Sequence, residues 1–248
     1  MQKVELIDYT GIGRADQQWH AADVMIFTKQ TRLNLSAGLM AEVKAWPKER
    51  KQQELDYMAK TIKSSWEFVD LTFLISGVSR AVAQQITRTR NASYAMQSMR
   101  VTDASELEVV INPQLTAEQR MMFRNSVDFA KQYYGLLVKS GAPLEDARGV
   151  LPLNTECNLV CKYNFRSFTD LVKARKSLRA QGEYYEIATA MEQLVREAWP
   201  WSEPFFVSDS DVAIKMLEQV AKTLGITTGK GHGWEIAKAI DLLRKGDV

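Results

Sequence analysis

The chain is poor in the residues that mark most specialised protein classes. Its 248 residues include two cysteines, Cys157 and Cys161, too few for the disulfide framework of a small secreted domain. They lie four apart with no further cysteine and no nearby histidine, whereas a structural zinc wants four nitrogen or sulfur ligands. The expectation is two buried strand residues and no metal. Histidine is equally scarce: His20 and His232 are the whole supply, and neither has a serine or cysteine partner in a recognisable hydrolase setting. A charge of one sign is missing too, since 32 basic and 30 acidic residues leave a net +2. That excludes the bulk cationic field of a nonspecific nucleic-acid coat. No window approaches eighteen uninterrupted apolar residues, and residues 1–8 carry acids inside their apolar run instead of a signal-peptide core. The reading is a soluble, cytoplasmic protein with neither membrane nor nucleic acid as partner.

What is present is ample apolar material, 46% of the chain, enough for a sizeable core. Residues 4–9 open as a short strand that closes at Gly11-Ile12-Gly13, and residues 16–65 read as two or three helices broken by Asn34, Gly38 and Pro47. Phe68, Leu71, Ile75, Val78, Val82 and Ile86 recur at steps of three and four, which predicts a helix over residues 66–86. Alternation at Leu107, Val109 and Ile111 predicts a strand over 103–112. Thr116, with Glu118 and Gln119 in the next turn, opens a long helix ending near Gly141. A helical turn over 143–152, a strand over 154–162 and helices over 164–179 and 181–199 follow, stopped by Pro200 and Pro204. A last helical pair is expected at 209–224 and 234–244. The glycine-rich stretch at 225–231 has the wrong spacing for a phosphate loop, so a connecting loop is expected there.

Residues 88–100 carry the chemistry. Arg88, Arg90, Arg100, Ser93 and Ser98 crowd into thirteen residues with almost nothing to bury. Guanidinium forks beside hydroxyls suit an oxyanion such as phosphate. A plainer reading is a solvated helix cap. Arg166 and Arg175 could likewise pair with Glu183 or Asp170 on a helix surface, and Arg148 could cap a helix end.

Arg88-Thr89-Arg90, followed by Ser93, Ser98 and Arg100, resembles the arginine-histidine-arginine signature of the flavin-dependent thymidylate synthases. A second block is similar to the same family's carboxy-terminal half: Arg148 before Leu151-Pro152-Leu153-Asn154, then Asn164-Phe165-Arg166-Ser167-Phe168, Arg175 and Ala180-Gln181-Gly182-Glu183. Ser76-Gly77-Val78-Ser79-Arg80-Ala81 and Gln85 look like the segment before the signature, so the resemblance covers residues 64–200. The sequence departs from it at Thr89, at Ile62 or Lys63 and at Arg179, where the family usually has histidine, at Met96, where it has an acid or amide, and over residues 64–68, which lack the family's histidines.

The resemblance implies transfer of a one-carbon unit from methylenetetrahydrofolate to C5 of dUMP, with FAD reduced by NADPH delivering hydride. The same machinery could act on UMP in nucleoside natural-product synthesis or on a modified base of viral DNA. A flavin-free nucleotide-binding homologue is the alternative from another class. Gln85, Arg88, Gln97, Ser98, Met99, Arg100, Arg148 and Arg175 would hold the nucleotide. Arg175 would lie by the pyrimidine oxygens, and Ser98 would touch the nucleotide without attacking it. Arg88, Thr89, Arg90 and Asn91 would approach the flavin phosphates, with Asn164, Arg166, Asp170 and Arg179 on the other side of the flavin. The family builds each site from several subunits of a homotetramer. Pattern and resemblance together imply one α+β domain over residues 1–204, a twisted, mainly antiparallel sheet flanked by long helices, with a helical extension over 205–248.

Overall fold

A computed structural model describes residues 2–176 and 182–207, with Met216 and Val220. Arg179, His232, the glycine-rich loop and all of the last helical pair but those two residues lie outside the described residues. The fold is α+β, built on a four-stranded sheet of order β1-β2-β4-β3. The chain divides into two compact units, Met1–Tyr9 with Asp70–Tyr163 and Thr10–Val69 with Asn164–Val248.

The first unit holds the sheet. β1 (Lys3–Tyr9) pairs antiparallel with β2 (Asp70–Ser79), and β3 (Ala92–Met96) pairs antiparallel with β4 (Glu156–Asn164). The helix expected over 66–86 is corrected here: residues 64–68 form a 3-10 turn, Asp70–Ser79 is strand, and only Arg80–Ile86 is helix, α4. The apolar positions fit both periods. Leu71, Phe73 and Ile75 alternate with half-exposed Thr72, Leu74 and Ser76, and a run with this alternation can join a ladder on both sides. The strand expected over 103–112 shrinks to one bridge, Val109 with Thr155. Asp103 and Asn112 each accept a hydrogen bond from the backbone two residues on, at Ser105 and Gln114, so the segment turns at both ends.

The long helix is as expected. Thr116 and Gln119 close a capping box on α5 (Ala117–Lys139). Leu144–Ala147 forms a short helix, α6, and residues 148–150 a 3-10 turn. Met99, Ala104, Tyr134 and Ala147 make a small buried cluster beneath Leu107, Leu137, Val138, Leu144 and Leu151. Cys157 and Cys161 are buried thiols on β4, not joined in a disulfide. Burial pushes the Cys161 thiol up to about 12.

The second unit is helical. Helices α1 (Gln17–Gln30), α2 (Leu39–Ala45) and α3 (Lys48–Thr61) meet the expectation for residues 16–65, and α7 (Phe165–Arg175) and α8 (Gly182–Ala198) that for the later pair. Gly11, at φ +107°, lies so near α1 that a Cβ would meet the Gln17 carbonyl oxygen at 2.9 Å, so glycine is required. Phe165 sits within 6.2 Å, ring centre to ring centre, of Trp66, Trp199, Trp201, Phe205 and Phe206. This aromatic cluster dominates the unit's core. A buried ion pair, Lys51 Nζ to Asp23 Oδ1 at 2.6 Å, ties α3 to α1.

Candidate functional site

In the first unit a short chain of elements presents the arginine segment. Ser79 ends β2 and caps α4, its hydroxyl accepting from the Val82 amide at 3.2 Å. The Arg80 and Ala81 amides donate to the carbonyls of Thr155 and Leu153, so this helix end is satisfied by backbone. The chain leaves α4 through a tight turn in which the Arg88 amide donates to Gln85 and the Thr89 amide to Ile86. Asn91 then takes φ +58°, a left-handed conformation asparagine tolerates better than most residues, and β3 begins at the sheet edge.

Arg88, Arg90 and Asn91 are exposed, and Thr89 and Gln85 are half-buried. Among the described residues neither Arg88 nor Arg90 has an acidic partner. Arg88 and Arg90, two residues apart on this turn, are of the residue type that grips oxyanions.

The second half of the segment is held differently. The Gln97 amide continues the ladder by donating to the Asn158 carbonyl at 2.9 Å, and the Asn158 side chain donates to the Gln97 amide oxygen at 3.2 Å. Ser98 is exposed, and its hydroxyl oxygen accepts from the Arg100 amide at 3.2 Å. Met99 is 4% exposed, its side chain committed to the small cluster. That burial leaves Ser98 and Arg100 facing outward. Arg100 donates through Nε and Nη2 to one carboxylate oxygen of Glu145, at 2.9 and 2.7 Å. Arg148 caps α6, its Nε donating to the Glu145 carbonyl at 3.1 Å. Glu145 therefore gathers Arg100 and Arg148, two of the arginines expected at a nucleotide.

The remaining expected residues belong to the second unit. Asn164 caps α7, accepting from the Ser167 amide at 2.9 Å, and exposed Asp170 lies on the same helix. Arg166 is ion-paired with Glu67 at 2.6 Å. The Arg175 guanidinium lies 4.6 Å from the centre of the Tyr184 ring, a cation–π arrangement. Gln85, Arg88, Gln97, Ser98, Met99, Arg100 and Arg148 thus share the first unit, while Asn164, Arg166, Asp170 and Arg175 share the second. Sequence reasoning missed Glu145, Glu67, Asn158 and Tyr94. Glu145 alone carried a signal, three residues before Arg148 on a helical turn.

These features define a class: an α+β protein that displays paired arginines between a short helix and an edge strand, with further arginines on neighbouring turns. Over residues 5–201 the chain matches the family described as thymidylate synthase complementing protein, and it belongs to that family. It is 34% identical over 164 residues to a flavin-dependent thymidylate synthase of Halobacterium salinarum, covering 55% of this chain and 65% of that one. A protein of the same name from Geobacter sulfurreducens is 34% identical over 142 residues, 56% of this chain and 61% of its own. Another, from Nitratidesulfovibrio vulgaris, is 32% identical over 184 residues, 66% of this chain and 74% of its own. The chain spans less than two thirds of the length of the first two relatives.

Proposed function

We propose that the protein is a flavin-dependent thymidylate synthase, converting dUMP to dTMP with methylenetetrahydrofolate as carbon donor and NADPH as reductant. The observation that carries this reading is the exposed Arg88 and Arg90, without acidic partners among the described residues, in a chain whose family match spans 5–201. The residues present fit FAD: two exposed guanidiniums on one turn suit a diphosphate, and Asn164 and Arg166 stand at the start of α7 with Asp170 a turn further along it. Thr89 and Met96 supply no imidazole and no acid at their positions, so flavin is held mainly through its phosphates.

In this reading FAD supplies hydride chemistry that no side chain can perform. The protein's own part is binding and electrostatics. Arg100 and Arg148 grip the nucleotide phosphate, Ser98 fixes the Arg100 backbone, and Arg175 stabilises negative charge developing on the pyrimidine oxygens. No covalent protein nucleophile is used; Ser98 contacts the nucleotide without attacking it.

The active form is a homotetramer. Support comes from α5, where Met122, Phe129, Tyr133 and Leu136 are 54–64% exposed along the helix side opposite buried Val127 and Tyr134. An apolar stripe of this length suits a subunit interface.

The test is turnover: purified protein with FAD, NADPH, methylenetetrahydrofolate and dUMP yields dTMP. Product from UMP alone would move the assignment to a ribonucleotide methylase. No product from any pyrimidine monophosphate would overturn it. The second reading, a flavin-free nucleotide-binding homologue, is favoured by Met96, which places a thioether 36% exposed on β3 where the resemblance calls for an acid or amide.

A further inference from the structure

Backbone hydrogen bonds from the Thr87, Arg88 and Thr89 amides shape the turn at residues 87–91, but its arginine side chains are not anchored by them. Arg88, Arg90 and Asn91 are exposed, so no core contact of their side chains fixes the spread of the two guanidiniums. One group reaches the turn from the sheet. The Tyr94 hydroxyl lies 3.0 Å from the Ile86 carbonyl oxygen and 2.9 Å from that of Thr89, sharing its proton between the last residue of α4 and the middle of the signature. The Ile86 carbonyl also accepts the Thr89 amide, and among the described residues only the Tyr94 hydroxyl donates to the Thr89 carbonyl.

The position of that hydroxyl is set by the sheet. Tyr94 pairs with Cys161 across β3 and β4. Its ring stands edge-on to Tyr163, with centres 6.0 Å apart and planes at 80°, and Tyr163 is fully buried. Burial pushes the Tyr94 phenol above its ordinary range, against hydrogen bonds with Tyr163 and Thr89, so it stays a protonated donor at working pH. A rigid strand pair thus ends in one donor that closes a solvent-exposed turn.

We infer that Tyr94 is a positioning residue for Arg88 and Arg90: its hydroxyl sets the geometry of the turn and thereby the affinity of the two guanidiniums for phosphate. The inference rests on the reading above, in which that turn serves FAD and nucleotide. Tyr94 acts on the turn through the carbonyls of Ile86 and Thr89.

Tyr94→Phe keeps the ring and its packing on Tyr163 while removing the hydroxyl, and Tyr163→Phe, which removes only that hydroxyl's hydrogen bond with Tyr163, is the control. Affinities of wild type and variant for FAD and dUMP are measured together with melting temperature and hydrogen exchange of peptides covering residues 84–96. The expected result is exchange about 5-fold faster in that segment and FAD affinity weakened about 3- to 10-fold, the scale of one hydrogen bond. The melting temperature moves by only a few degrees, and the loss in kcat/KM falls mainly on KM. Unchanged FAD and dUMP affinities would overturn the inference, as would a loss matched by a collapse in melting temperature, which marks a merely structural residue. Faster exchange in the variant with no binding of FAD or dUMP by the wild type would leave Tyr94 as the clasp of the turn, while overturning its part in ligand affinity and the functional reading with it.

Discussion

Arg100 and Glu145, forty-five residues apart, form a two-pronged contact in which both guanidinium nitrogens address a single carboxylate oxygen. The pair is largely exposed, at 64% and 47% of the side chains, so its own contribution to stability is below about 1 kcal/mol. Its value to the protein is orientation. Arg100→Ala should therefore weaken dUMP binding by about 10-fold or more, the scale of a charge-assisted hydrogen bond, while the melting temperature moves by only a few degrees. Calorimetric titration beside a thermal melt checks both. Equal affinities would remove Arg100 from the site.

The α5 stripe gives an independent test of assembly. Phe129→Glu combined with Tyr133→Glu places charge on the exposed apolar side without touching buried Val127 or Tyr134. Light scattering should show a tetrameric wild type and a variant of smaller mass with unchanged helix content. A monomeric wild type would contradict the homotetramer.

Much of this was legible in the chain, and the failures have physical causes. The capped start of α5 and the three helices of residues 16–65 followed from local signals that tertiary contacts did not override. Residues 66–86 misled because Leu71, Phe73 and Ile75 satisfy a period of two while Leu71, Ile75, Val78 and Val82 satisfy one near 3.6. Strand β3 was invisible: an edge strand half in solvent needs no apolar pattern, and Ala92–Met96 has none. The alternation of Leu107 and Val109 did announce burial, but Leu107 packs on the Met99 cluster instead of extending a ladder. At the site the arginines could be named one by one, whereas Glu145 and Glu67, 45 and 99 residues from their partners, emerge only from the fold.

The buried pair Asp23–Lys51 makes a stability prediction with a sign. The side chains are 3% and 7% exposed, and burial pushes the Asp23 carboxyl above its ordinary range, against the Lys51 hydrogen bond and charge. Lys51→Met strands the carboxylate and should cost about 3–5 kcal/mol at neutral pH; replacing both partners by apolar residues should restore much of that. Urea unfolding of the single and double variants reads the difference. A single variant as stable as wild type would show the pair to be idle.

His20 predicts a pH dependence. It is held below its ordinary 6.5 by burial first, then by Arg14 and Lys44, against the opposing pull of Asp16 and Asp23. Among the described residues its buried Nδ1 has no hydrogen-bond partner, and Asp16 Oδ2 lies 3.7 Å away. On acidification the unfolded chain takes up the proton first, so stability is complete above pH 6.5 and declines as the pH falls toward the depressed folded value. Melts of wild type and His20→Gln between about pH 7.5 and about pH 5.5 should show the larger loss in wild type. Parallel losses would mean that His20 does not couple to folding.

The central claim is that the arginine turn serves a flavin and a pyrimidine nucleotide together. The most direct measurement is the visible absorption spectrum of the purified protein with FAD, titrated first with dUMP and then with UMP. The account predicts a bound-flavin spectrum that dUMP perturbs saturably and UMP does not. A spectrum identical to free FAD at every protein concentration, with or without nucleotide, would contradict it.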